Sequence, residues 1–292
     1  MLDLSYFQNQ NSNVQGFFSA GTWQTWIKPR GAKLVNIICV GSGAGGGGGF
    51  QSASTKGGGG SGGSGATARL TINANLLPDI LYILPGIGGT GGLGGAPATA
   101  GSTGQNSFVT LIPSTGSVSN VVLRSGATPA TAGGAGTTAG GSVGAAETIG
   151  VIANSIFANL GTFTFQAGVA GQAGWYASSA GNQTPSNFLV SAGGGGGTIG
   201  TSVTATGVFP GIPATGLLQN GINGPIYYKP ILMLYGGRGG VGSGTAGTDG
   251  GNGGNGAPGC GGGGGAPGWN VGVNAGNGGR GGDGFVIITT SL

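Results

Sequence analysis

Short apolar runs along this chain are separated by long stretches that carry almost no side chains. The first clear run is LVNIICV, Leu34–Val40, rich in β-branched residues and followed directly by glycine. Its length and composition predict a buried strand. In ATARLTINANL (66–76), Ala68, Leu70, Ile72 and Ala74 share one face of a second strand. Ile80–Leu84 gives a third. NSFVTLI (106–112) and SNVVLR (119–124) read as a hairpin, with residues 113–116 as its turn. Phe163 and Phe165 alternate as in a strand, PILMLY (230–235) is a further apolar run, and FVIITT (285–290) closes the chain with another strand. No segment has a persuasive helical period, and 148–160 comes nearest to one. The strands at 34–40 and 285–290 are too short to be stable alone, so they are expected to lie side by side in one sheet.

The stretches between the runs have a period of their own. Glycine occupies every third position at 244, 247, 250, 253, 256, 259, 262, 265 and 268. The same step holds at 86, 89, 92 and 95, then at 101 and 104 with Ala98 between, and at 57, 60 and 63. Three residues per turn is the repeat of a polyproline-II helix, which has no internal hydrogen bonds. Such helices pack side by side only where no side chain projects, and their backbone groups then pair with one another. A flexible linker does not account for strands punctuating the blocks. A collagen-like helix needs more proline than Pro258 and Pro267 provide. The predicted fold is mainly β, with a polyglycine-II bundle packed on a β-sheet layer and little or no α-helix. It is a single glycine-rich domain, 1–292, comprising an N-terminal segment (1–33), first strands and glycine blocks (34–104), an inserted apolar lobe (105–235), and a long glycine block with the closing strand (236–292).

Composition narrows the function classes. Glycine supplies 77 of 292 residues, charged residues only 5%, and histidine none. Without histidine there is no Ser-His triad, Cys-His dyad or His-based metal site. Gly41, Gly43 and Gly46 match G-x-G-x-x-G, but no helix signal follows, and no acidic residue stands between Asp3 and Asp79 to meet a ribose. No phosphate-binding G-K-[ST] occurs. Asp249 and Asp283 sit in glycine blocks, where solvation at a bundle end is the expected role, and Asp79 and Glu147 have no pattern around them. The expectation is a non-enzyme with no catalytic residue, cofactor or metal. A net charge of +4, with only Lys28, Arg30 and Lys33 close together, is too thin a footprint for nucleic acid, and that trio reads as a solvated turn. No apolar run reaches membrane-spanning length, and the N-terminus lacks the pattern of a secretory signal. Cys39 and Cys260 allow one disulfide, though two buried free thiols is the favoured reading.

Aromatic residues are the remaining candidates for chemistry. Trp175, Tyr176, Tyr227, Tyr228 and Trp269 lie in loop-like sequence and could touch a protein or glycan receptor. For any one of them, covering the bundle or filling the core is the prior reading. Trp23 and Trp26 are assigned to the core.

Three stretches carry a resemblance. GTWQTWIKPRGAKLVNIICVGSGAGGGGG (21–49), ILYILPGIGGTGG (80–92) and GAPGCGGGGGAPGW with GNGGRGGDGFVIITT (256–269 and 276–290) resemble the glycine-rich domain of bacteriophage tail-fibre and adhesin proteins and of other virion surface proteins. The resemblance implies a structural protein on the outer surface of a virion, of the tail-fibre or adhesin type, contacting the host surface. Its implied partners are other virion subunits and a host receptor, with assembly as a homo-oligomer, a trimer included. A capsid-decoration or extracellular-filament subunit with a purely structural role is the alternative. The long apolar middle, 105–235, departs from the short form of that domain. An ice- or small-ligand-binding surface would call for a regular Thr or Ser array, which is not evident in the sequence.

Overall fold

The computed structural model describes residues 12–52, 57–137, 140–148, 155–174, 220–227, 233–240, 242, 247–269 and 272–292. The strands are β1 (Ser12–Phe17), β2 (Gln24–Ile27), β3 (Leu34–Val40), β4 (Gln51–Ser52), β5 (Thr67–Asn73), β6 (Ile80–Leu84), β7 (Phe108–Thr110), β8 (Val121–Arg124), β9 (Gly161–Gln166), β10 (Ile226–Tyr227), β11 (Met233–Leu234), β12 (Gly268–Trp269) and β13 (Phe285–Ser291). Among the described residues the one α-helical stretch is α1 (Ser155–Leu160), inside the segment the sequence marked as nearest to helical.

Two antiparallel sheets carry the apolar core. One has the order β1-β13-β3-β5-β9 and the other β2-β6-β7-β8. Period-two alternation sets what each strand buries. Val35, Ile37 and Cys39 of β3 stand in register with Ile72, Leu70 and Ala68 of β5, and with Thr290, Ile288 and Val286 of β13. Their apolar members meet Trp26, Leu81, Ile83, Val109 and Leu123 of the second sheet in one cluster. Each large side chain removed from water there stabilises the fold by roughly 1.5–3 kcal/mol. The strands at 34–40 and 285–290 are neighbours, with Cys39 opposite Val286. The N-terminal segment, which carried no strand expectation, supplies β1 and β2. Strands β7, β8 and β9 come from the apolar middle of the chain and complete both sheets. On the outer face of the first sheet, Val40, Leu234, Ala257, Cys260 and Phe285 form a second, smaller cluster, packed by Ile38, Ile226 and Ile287.

The glycine segments run as extended lanes whose hydrogen bonds repeat every three residues. In the lane 41–50, the N–H groups of Gly43, Gly46 and Gly49 donate to Gly282, Gly279 and Gly276. Those of Ala44, Gly47 and Phe50 donate to Gly63, Gly60 and Gly57, and those of Gly45 and Gly48 to Ser102 and Thr99. Its carbonyls accept from three further lanes: from Gly89, Gly92 and Gly95, from Gly133 and Gly136, and from Gly262 and Gly265. All these bonds measure 2.8–3.0 Å, so the lane is enclosed by six neighbours and its backbone is satisfied through a three-residue repeat. A Cβ on Gly43, Gly46 or Gly49 would lie 1.9–2.1 Å from the carbonyl oxygens of Cys260, Gly263 and Ala266. Close backbone approach therefore requires Gly43 and Gly46 of the G-x-G-x-x-G match, and among the described residues no helix follows them before β5.

In the phase read at 244–268, Gly250, Gly253, Gly256, Gly262, Gly265 and Gly268 face neighbouring backbone, whereas Gly247 is open and Gly244 lies outside the described residues; the segment is not one continuous helix. The N–H groups of Gly250, Gly253 and Gly256 donate to Asn274, Asn277 and Arg280, whereas those of Gly262 and Gly265 donate to Ala44 and Gly47. Between the two lanes the chain turns at Pro258 and Gly259, where Cys260 N–H donates to Ala257 O at 2.8 Å and Gly259 has φ 76°. Proline followed by a left-handed glycine is the signature of a type II turn. A repeat of three cannot register this reversal, because the turn preserves the phase.

Candidate functional site

Trp175, Tyr176 and Tyr228 lie outside the described residues. The backbones of Tyr227 and Trp269 lie in separate two-stranded ribbons: Tyr227 in β10 opposite Met233, and Trp269 in β12 opposite Ser52; their side chains also lie outside the description. Trp26 is fully buried, as expected of a core residue, and Trp23 is half-buried. Of the basic trio read as a solvated turn, Arg30 is exposed, while Lys28 has a further role. Lys28 Nζ donates to the carbonyls of Ala74 and Leu77 and pairs with Asp79 at 2.9 Å, so it ties β2 to the turn that precedes β6.

A polar seam lies buried where the sheets meet the glycine lanes. Ser42 Oγ donates to Ile87 O at 2.7 Å and accepts from Gln105 N–H. Ser107 Oγ donates to Val40 O at 2.6 Å and accepts from Gly86 N–H, while Asn106 Nδ2 donates to Gly126 O. At its centre is Glu147, which has no solvent exposure. One carboxylate oxygen accepts from Ala66 N–H at 2.6 Å and the other from Ser125 Oγ at 2.7 Å. Two glycines make the room: a Cβ on Gly41 would lie 1.8 Å from Glu147 Oε2, and one on Gly126 would lie 2.6 Å from its Cγ. Burial pushes the carboxyl from its ordinary 4.5 up to about 7, against the opposing pull of the Ser125 and Ala66 hydrogen bonds and the Arg124 charge. Cys39, also fully buried, donates its thiol to Ser107 O, and burial together with the Glu147 charge raises its pKa well above the ordinary value. The seam holds a protonated thiol and a shielded carboxyl, an arrangement suited to joining elements rather than attacking a substrate. Both cysteines are buried thiols outside any disulfide. Among the described residues no cluster of metal-ligating side chains occurs, and no helix is long and apolar enough to cross a membrane.

The exposed flank of the bundle is organised differently. Lanes on the rim present N–H groups outward every third residue, and side-chain oxygens of the adjacent lane take them up. Asn252 N–H donates to Asn220 Oδ1, Asn252 Oδ1 accepts from Asn277 N–H, and Asn277 Oδ1 accepts from Gly94 N–H, at 2.7–2.8 Å. One level along, Asn255 N–H donates to Asn223 Oδ1, and Asn255 Oδ1 accepts from Arg280 N–H. Asp249 takes the N–H of Asn274 and Asp283 that of Gly88. The two aspartates therefore hold lanes together along the flank while Asp249 stays exposed to water and Asp283 partly so. On the next side, Thr99 and Ser102 each donate a backbone N–H to Leu93 and Thr90 and accept those residues' N–H on their hydroxyls. Asparagines three apart at 252 and 255, and at 220 and 223, carried this signal in the sequence.

Two sheets closed against a lattice of glycine lanes define a glycine-packed β scaffold. The chain belongs to a family described as a glycine-rich domain, which matches residues 18–291. No curated protein matches it.

Proposed function

We propose that the chain is a structural protein of a virion surface, a tail-fibre or adhesin-type module that contacts a host rather than catalysing a reaction. The observation that carries this reading is the lane 41–50, enclosed by six neighbours, with every one of its N–H groups hydrogen-bonded. A scaffold with so few long side chains inside holds its loops at fixed positions, and loops on a rigid support are the usual place of recognition. Its scarcity of charge favours contacts through aromatic and polar groups, so binding should vary little with salt. Trp175, Tyr176, Tyr227, Tyr228 and Trp269 are the residues proposed to touch a protein or glycan receptor, since aromatic side chains give large contact area at low entropic cost. The resemblance of the segments at 21–49, 80–92 and 256–290 to phage fibre domains supports the same reading.

The test is retention of purified protein on host cells, with Trp175→Ala and Tyr228→Ala variants compared at low and high salt. Salt-insensitive binding that both variants weaken at least tenfold supports an adhesin. Absence of binding, or undiminished binding by the variants, replaces it with a decoration or filament subunit whose role is structural.

A further inference from the structure

Inside the bundle lane N–H groups meet backbone carbonyls of neighbouring lanes, and each lane extends the lattice to another. A rim lane is in the position of an edge strand. It presents a row of N–H groups to which a further glycine-rich lane could add, and any second copy of this chain contains many such lanes. On the described flank these groups are already taken: the N–H groups of Asn252, Asn255, Asn274, Asn277, Arg280, Gly88 and Gly94 are held by asparagine or aspartate oxygens at 2.7–2.9 Å. Thr90 and Leu93 are closed by Ser102 and Thr99 at 2.7 Å. The side chain stands where the missing lane's carbonyl would be, and it also fills the space that lane would need.

We infer that these side-chain rungs are lattice terminators, which keep the exposed flank of the bundle from pairing with a glycine lane of a second copy of this chain. The chemistry of the rung residues fits this role. Asparagine, aspartate, serine and threonine are short enough to reach one lane across and carry an acceptor oxygen. Glycine supplies no acceptor, and an aliphatic residue would leave the N–H open. Arg280 has no acceptor oxygen. The N–H of Gly91, between the closed N–H groups of Gly88 and Gly94, has no partner among the described residues and is half-exposed to water. The guanidinium of Arg280 instead pairs with Asp283, whose carboxylate closes the neighbouring N–H of Gly88.

The test uses the full chain with Asn252→Gly and Asn255→Gly together, which removes two rungs and unblocks the N–H groups of Asn277 and Arg280. Thr103→Gly is the control: Thr103 is exposed and its side chain makes no rung. Thr99→Ala with Ser102→Ala opens a second, independent edge if the first variant does not fold. Sedimentation velocity over a hundredfold concentration range reads the association state, and hydrogen exchange reads the amides. The expected result is association beyond the parent's state in both rung variants and not in the control. The amides of Asn277 and Arg280 should exchange at least tenfold faster when dilute and slow again as the protein associates. Opened amides without added association would overturn the inference, as would unchanged exchange, or equal association of the Thr103→Gly control.

Discussion

Ala66 donates its backbone N–H to the carboxylate of Glu147 at 2.6 Å, across 81 positions of the chain. Ala66 adjoins β5 of the first sheet, and the second partner of Glu147, Ser125, directly follows β8 of the second. The backbone N–H of Glu147 reaches Ser64 O on a glycine lane. One buried carboxyl thus fastens both sheets to the bundle.

That position makes stability depend on pH in a defined window. The folded pKa of Glu147 is raised to about 7 from an ordinary 4.5, so the folded state holds its proton where the unfolded chain has lost it. The stabilisation is complete below pH 4.5, falls as pH rises toward 7 and is gone above it; the difference is about 3 kcal/mol. Thermal melting followed from pH 4 to pH 8 should show this decline in the parent. Glu147→Gln, which stays neutral and can still meet Ala66 and Ser125, should lose most of the slope between pH 4.5 and 7. An equal slope in both proteins would assign the effect to another group.

Packing of the lanes predicts unequal costs at neighbouring positions. A Cβ on Gly253 would lie 2.1 Å from Gly263 O, in backbone that cannot yield. Gly253→Val should cost roughly 4 kcal/mol or more, or abolish folding. Asn252 is exposed, and its replacement by Val removes only the rung to Asn277, about 1 kcal/mol. Urea titration of the two variants checks the ratio; equal losses would contradict the lane geometry.

Both thiols should be silent in the folded protein. Cys39 and Cys260 are fully buried, and Cys39 is held as the thiol by burial and by the charge of Glu147. A thiol reagent at pH 8 should label neither within minutes in buffer and both in concentrated denaturant. Rapid labelling of either one in buffer would show that the seam or the outer cluster opens readily.

What the sequence disclosed follows from how local each signal is. Strands β3, β5, β6 and β13 announce themselves through apolar runs, because each buries a whole face. β1 and β2 do not: Ser12, Asn13 and Gln15 are half-buried against one neighbour only, and β2 buries Trp26 alone among its four positions. The repeat of three was legible, but a repeat does not say which lanes are neighbours, and the reversal at Pro258 and Gly259 keeps the phase. Glu147 left no signature because its partners are distant in sequence and its room is made by the missing side chains of Gly41 and Gly126. The lane-joining bonds of Asp249 and Asp283 were hidden for a related reason: they depend on the lane alongside, not on the residues before and after them.

The enclosure of the lane 41–50 also governs how such a chain can diversify. A conventional core offers exchangeable volumes, so large and small residues can trade places over time. Here the middle of the glycine bundle has almost nothing to exchange: a single methyl on Gly45, Gly47 or Gly48 would lie 1.9–2.1 Å from a neighbouring carbonyl oxygen. Drift is thereby driven outward, to the rim and the connecting loops. Tolerance to change should form concentric rings in cross-section, and descendants of one ancestor could come to share a glycine skeleton while having few other letters in common.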